Sequence, residues 1–111
     1  MISRLAVALL FVVGLHDWAL AGESGIAATY PVSYKGRRTA SGERFNPDVM
    51  TCAHRRYPFG SSVRVTAGSR SITCRVTDRG PFVKGRIIDV SPAGARALGF
   101  SGLARVTVER M

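Results

Sequence analysis

Two aspartates bracket one loop in the stretch from Arg75 to Ser91, R-V-T-D-R-G-P-F-V-K-G-R-I-I-D-V-S. Asp78 ends an apolar run just before Gly80-Pro81, and Asp89 ends the next apolar run. A carboxylate at a strand-to-turn junction is held rigidly while still facing a cleft, and proton transfer needs that combination. Beyond Asp17, the remaining carboxylates are Glu23, Glu43, Asp48 and Glu109. Glu23 precedes the first strand-like run and Glu109 stands beside the C-terminus, so neither is expected to do chemistry. Asp48 follows Pro47 and reads as a turn residue. Glu43, in T-A-S-G-E-R-F, reads in isolation as a solvated loop charge. Asp89 lies just before a helix start and is expected to bond backbone N–H groups there. His54 either exchanges hydrogen bonds in a cleft or packs at a strand end.

The ends of the chain bound where such chemistry would take place. Arg4 supplies a positive start, Leu5 to Leu15 is an apolar run, and Ala19-Leu20-Ala21 is a small-x-small cleavage signal. The run is shorter than the about 20 residues that cross a bilayer, and His16 and Asp17 interrupt it. A secretory signal over residues 1–21, cleaved after Ala21, is therefore expected in preference to an uncleaved anchor. The exported chain would be periplasmic or extracellular. It would hold a short lead-in over residues 22–27 and one small domain over residues 28–111.

The formal charge is +9 with or without the signal, because Arg4 and Asp17 leave together. A basic exported protein is drawn to polyanions such as those of a bacterial envelope. Nucleic acid is the rival partner for such charge. Export and the lack of a basic helix or an aromatic stacking platform argue against it.

Cys52 and Cys74 make an even count in an exported small domain, which favours a disulfide. Closing a loop of roughly 20 residues would add about 3 kcal/mol. The alternative is a Cys-His pair, because Cys52 and His54 are two residues apart and share a face in an extended strand. An oxidising compartment would tend to consume that thiol. One histidine outside the signal and two cysteines without ligand-like spacing are a poor zinc set, so neither metal nor cofactor is expected.

In the elements that must position these residues, β-type runs dominate. Strands are predicted over Ala28–Tyr34, Val49–His54, Ser62–Ala67, Ser71–Asp78, Arg86–Val90 and Leu103–Glu109. The alternating pair around Gly68-Ser69-Arg70 reads as a hairpin. Ser91 and Pro92 start a short helix that Gly99 ends. About six strands and one short helix in a chain of this size suggest a small closed β-barrel. Within it, Tyr30 and Tyr34 either pack or form a sugar platform.

The ordered blocks S-Y-K-G (33–36), T-A-S-G-E (39–43), T-C-A-H (51–54), P-F-G-S-S-V-R-V (58–65), V-T-D-R-G-P-F (76–82), G-R-I-I-D-V-S (85–91) and A-x-x-L-G resemble the RlpA-like double-psi β-barrel family of bacterial envelope proteins. The resemblance covers about residues 28–110. It implies an all-β fold, a small six-stranded double-psi β-barrel with one short helix, in an envelope location. It implies peptidoglycan glycan strands as ligand. Cell-division or envelope proteins are expected as further partners, nucleic acid is not, and the chain is expected to be a monomer. Several members are lytic transglycosylases that cut glycan strands, with a preference for strands stripped of stem peptides. The family's functional trio falls on Glu43, His54 and Asp78. Tyr34, Arg79 and Phe82 are expected to contact substrate. The family's usual aromatic pair is here Tyr34-Lys35, and the segment between Gly36 and Thr39 is only Arg37-Arg38.

That resemblance fixes an expected chemistry. A lytic transglycosylase needs no water, because the muramyl primary hydroxyl closes an anhydro ring on its own anomeric carbon. One carboxyl group can serve as acid and then as base. The role is assigned to Asp78, with His54 and Glu43 positioning the sugar or tuning it. The rivals are a non-catalytic glycan-binding module, as in expansin-like barrels, and a hydrolase with Glu43 as base.

Overall fold

The computed structural model describes residues 22–111. The expected signal and its cleavage point after Ala21 lie outside the described residues. Six strands close on themselves: β1 (Glu23–Thr29), β2 (Thr51–Ala53), β3 (Ser62–Ala67), β4 (Arg70–Asp78), β5 (Arg86–Val90) and β6 (Leu103–Arg110). Their order around the barrel is β1-β5-β2-β4-β3-β6. A helix, α1 (Pro92–Leu98), joins β5 to β6, and a single 3-10 turn, Val32–Tyr34, follows β1. This is the expected six-stranded barrel with one short helix. Closure leaves no strand edge for another chain to pair with.

Alternation places the side chains. Val63 and Val65 of β3, Ile72, Cys74 and Val76 of β4, and Val106 and Val108 of β6 point inward and are buried. Arg64, Thr73 and Arg75 between them face solvent. Each fully buried aliphatic side chain contributes about 1.5–3 kcal/mol. Leu98 and Ala95 of α1 add the barrel's outer layer of core. The helix starts where Ser91 Oγ accepts the Gly94 N–H at 3.2 Å, and it stops at Gly99, with φ of +81°. Cys52 and Cys74 are disulfide-bonded and buried, joining β2 to the middle of β4. The Cys-His pair is thereby excluded.

Two expectations at the N-terminal end are corrected. The predicted lead-in, residues 22–27, contains most of β1, and the strand ends at Thr29 rather than running to Tyr34. Pro31 has no N–H for a ladder, and the chain turns there into the 3-10 turn. β1 has only Ile26 and Thr29 as strand-forming residues of its own but is paired on both sides, with β5 in parallel and β6 antiparallel. Tertiary pairing has overridden propensity.

The register of the parallel pairs matters for function. β4 carries one extra residue, Thr77, against β2, and β5 carries one extra, Ile87, against β1. These bulges set the ends of β4 and β5. Asp78 comes to lie in register with Ala53 on one side of β2, and Asp89 in register with Ala53 on the other. Residues in register on neighbouring strands project from the same face of the sheet. With β2 alone between them, their Cα atoms are roughly 9–10 Å apart, twice the strand spacing.

Candidate active site

Asp78 and Asp89 line one open cleft of about 420 Å³ at the end of the barrel. Tyr30, Tyr34, Arg79, Phe82 and Arg86 are among the other walls. The cleft is built where β1, β4 and β5 end and the loops after β1 and β4 begin. Gly80, with φ of +120°, turns the chain so that Arg79 and Phe82 stand on the cleft wall.

Asp78 is held by three donors. Tyr30 Oη donates to Oδ2 at 2.5 Å. The backbone N–H groups of Ala40 and Arg79 donate to Oδ1 at 2.8 and 3.0 Å. Burial, and then the bond to Asp78, push the Tyr30 phenol far up, so its proton stays on and points at the carboxylate. Both Asp78 oxygens thus act as acceptors in a fixed geometry.

Asp89 differs. Burial is the main cause that raises its carboxyl above the ordinary 3.8, the Asp78 charge adds to this, and Arg86 opposes it. A carboxyl that keeps its proton more strongly beside one fixed as an acceptor is the arrangement that separates acid from base. The expectation that Asp89 holds the helix entry is overturned: Ser91 makes that cap. Sequence alone assigned Asp89 by its nearness to the helix start. The signal that it faces the cleft lies in the register of β5 against β2, which pairs Asp89 with Ala53.

The expected substrate contacts Tyr34, Arg79 and Phe82 all line this cleft. Phe82 is 79% exposed, an apolar ring offered to solvent at the rim. Tyr34 has the Arg37 guanidinium over its ring at 4.2 Å and the edge of Tyr30 at 6.1 Å. The Arg79 guanidinium lies 4.0 Å over Phe59.

The other two members of the expected trio project elsewhere. Glu43 makes a two-pronged pair with Arg75, at 2.7 and 2.8 Å, on the outer surface. That pairing holds its carboxyl below the ordinary value. The contact pins the 39–45 loop to β4, and the same loop supplies the Ala40 N–H to Asp78. Thr39 Oγ1, bonded to the Glu43 carbonyl at 2.9 Å, tightens the loop. His54 is 2% exposed, with its ring stacked on Tyr57 at 3.7 Å and Nε2 2.8 Å from Glu23 Oε1. Burial is the main cause that lowers its pKa. Its backbone N–H bonds the Asp78 carbonyl at 3.2 Å. Glu43 and His54 therefore flank Asp78 through the backbone, and neither side chain lines the cleft. Among the described residues, no three His, Cys, Asp or Glu side chains are placed to hold a metal ion.

Residues 23–109 match the family described as lytic transglycolase. The chain is 53% identical over 91 residues to a probable endolytic peptidoglycan transglycosylase RlpA of Nostoc sp., covering 77% of this chain and 24% of that protein. It is 48% identical over 89 residues to the endolytic peptidoglycan transglycosylase RlpA of Pasteurella multocida, covering 77% of this chain and 30% of that one. The chain thus spans about a quarter to a third of these relatives' length. Among solved structures, apo expansin of Clavibacter michiganensis superposes with a TM-score of 0.65 at 21% identity, over 82% of this chain and 50% of that chain. That likeness speaks for the barrel fold alone.

Proposed function

The chain belongs to the lytic transglycolase family of double-psi β-barrels, and from that premise we propose that it is an endolytic peptidoglycan transglycosylase. The observation that carries the proposal is the pair of cleft carboxyls in register on either side of Ala53, one fixed as acceptor and one with a raised pKa.

Asp89 is the acid in this mechanism. It gives its proton to the glycosidic oxygen as the bond to the muramyl anomeric carbon breaks. The Asp78 carboxylate, kept in place by Tyr30, Ala40 and Arg79, faces the positive charge that develops at that carbon. The muramyl primary hydroxyl then attacks the same carbon and returns its proton to Asp89. One bond breaks, one forms, and no water enters. The acid role expected for Asp78 thereby passes to Asp89, while Asp78 stays in the reacting site. Glu43 and His54 act as positioning residues, the first through the 39–45 loop and the second through the strand end. Phe82 and Tyr34 offer apolar faces to sugar rings, and Arg79 and Arg86 face anionic groups of the strand. Peptidoglycan strands as partner, an exported location and the disulfide are all in keeping with this reading.

The test is the mass of the products released from purified glycan strands. Anhydro-muramyl ends support transglycosylation, and reducing ends mean hydrolysis. No product with retained binding to sacculi means a glycan-binding module, the reading that the exposed Phe82 rim favours. Full cleavage by both Asp78→Asn and Asp89→Asn would overturn the assignment.

A further inference from the structure

We infer that Glu23, the first residue of β1, is a positioning residue that organises the cleft through His54 and Arg79. The inference rests on the proposed activity for its catalytic readout and on geometry for the rest.

His54 Nδ1 faces two backbone donors, the N–H groups of Arg56 at 3.1 Å and Tyr57 at 3.0 Å. A ring nitrogen that accepts from N–H groups carries no proton, so the proton of the neutral ring sits on Nε2. Nε2 points at Glu23 Oε1, 2.8 Å away, and donates to it. Glu23 is half-buried at that point, with Arg56 of the turn 3.6 Å from its other oxygen. The carboxylate thus selects the tautomer and the orientation of the ring, as an outer partner does for a working imidazole.

The consequence reaches the cleft. The two Nδ1 bonds close the turn after β2, and the turn aims two carbonyls at one guanidinium nitrogen. Arg79 Nη1 donates to His54 O at 3.2 Å and to Tyr57 O at 2.9 Å. With its side chain anchored there and stacked over Phe59, Arg79 presents its backbone N–H to Asp78 Oδ1. A continuous run of hydrogen bonds therefore leads from Glu23 through His54 and the 54–57 turn to Arg79 and Asp78. Removing Glu23 leaves a buried N–H without an acceptor and frees the ring to flip, which would put Cδ2–H in the place of Nδ1 and leave the Arg56 and Tyr57 N–H groups without their acceptor.

The experiment compares Glu23→Ala with Glu23→Gln, whose amide oxygen still accepts from Nε2. In wild type, nitrogen NMR of His54 shows the Nε2–H tautomer, and the Arg79 guanidinium resonances are shifted and slow to exchange. In Glu23→Ala both signatures change, and kcat for anhydro-muramyl release falls roughly tenfold to a hundredfold with little change in KM. Glu23→Gln restores the tautomer and brings kcat back to within about threefold of wild type. Wild-type kcat and unchanged Arg79 resonances in Glu23→Ala would overturn the inference. A wild-type chain that releases no anhydro ends would sink the proposed activity instead, and the Arg79 resonances in Glu23→Ala would still decide the relay by themselves.

Discussion

Asp78 and Asp89 are the same residue type in one cleft, and what separates them is their surroundings. Asp78 meets a phenol and two backbone N–H groups, whereas Asp89 meets burial and a neighbouring negative charge. Asp89→Asn is expected to lower cleavage about 10²- to 10⁴-fold, with sacculus pull-down retained. The same change should raise the melting temperature near neutral pH. A carboxyl raised in the fold contributes stability that is fully present below its ordinary 3.8 and is lost as pH rises through the folded value. The gap between variant and wild type should therefore open as pH climbs from below 4, and a series of thermal scans reads it. His54 has the opposite sign. Its folded pKa is lowered, so its contribution is present above the ordinary 6.5 and lost as pH falls through the folded value. Glu23 opposes that lowering and Arg56 and Arg55 reinforce it. The protection factors of the Arg56 and Tyr57 amides, which bond Nδ1, should fall as pH drops through the lowered folded value, as hydrogen exchange corrected for its intrinsic pH dependence would read.

At the scale of elements, the two bulges and the disulfide fix what the residues can do. The Thr77 bulge brings Asp78 into register with Ala53, and the Ile87 bulge sets Asp89 opposite Ala28 of β1 while its regular pairing with β2 sets it opposite Ala53. The Cys52–Cys74 bond closes a separation of 22 residues between β2 and β4. Replacing both cysteines with alanine should cost about 3 kcal/mol in denaturant titrations. β1 tolerates little bulk: a Cβ on Gly25 would come within 2.7 Å of Ile87 Cγ2, at the bulge itself. Gly25→Ala should therefore destabilise by about 1–3 kcal/mol and also lower cleavage, because Ile87 sits two residues before Asp89. The hairpin of β3 and β4, the helix with its Ser91 cap and Gly99 stop, and β6 were legible from alternation and capping residues. β1 was not, since its Gly, Ser and Ala residues become a strand only between β5 and β6.

Across the whole molecule, closure of the barrel carries Glu43, His54 and Asp78 to one end, from segments far apart in sequence. It aims only Asp78 into the cleft. The +9 charge acts at this scale too. Retention on anionic sacculi should weaken steeply with added salt, as co-sedimentation at rising ionic strength would register, while folding of the disulfide-closed core should not. The barrel class, the disulfide partners, the helix boundaries and the strand-end position of Asp78 were all legible in the sequence. Each follows from local pattern: alternation, cysteine count, capping residues and ordered motifs. Only the tertiary structure placed Asp89 in the cleft with Asp78, turned the Glu43 and His54 side chains away from it, and tied Glu23 to His54. Those facts depend on bulges, register and burial, which arise when distant strands pair and cannot be read from the neighbours of any one residue.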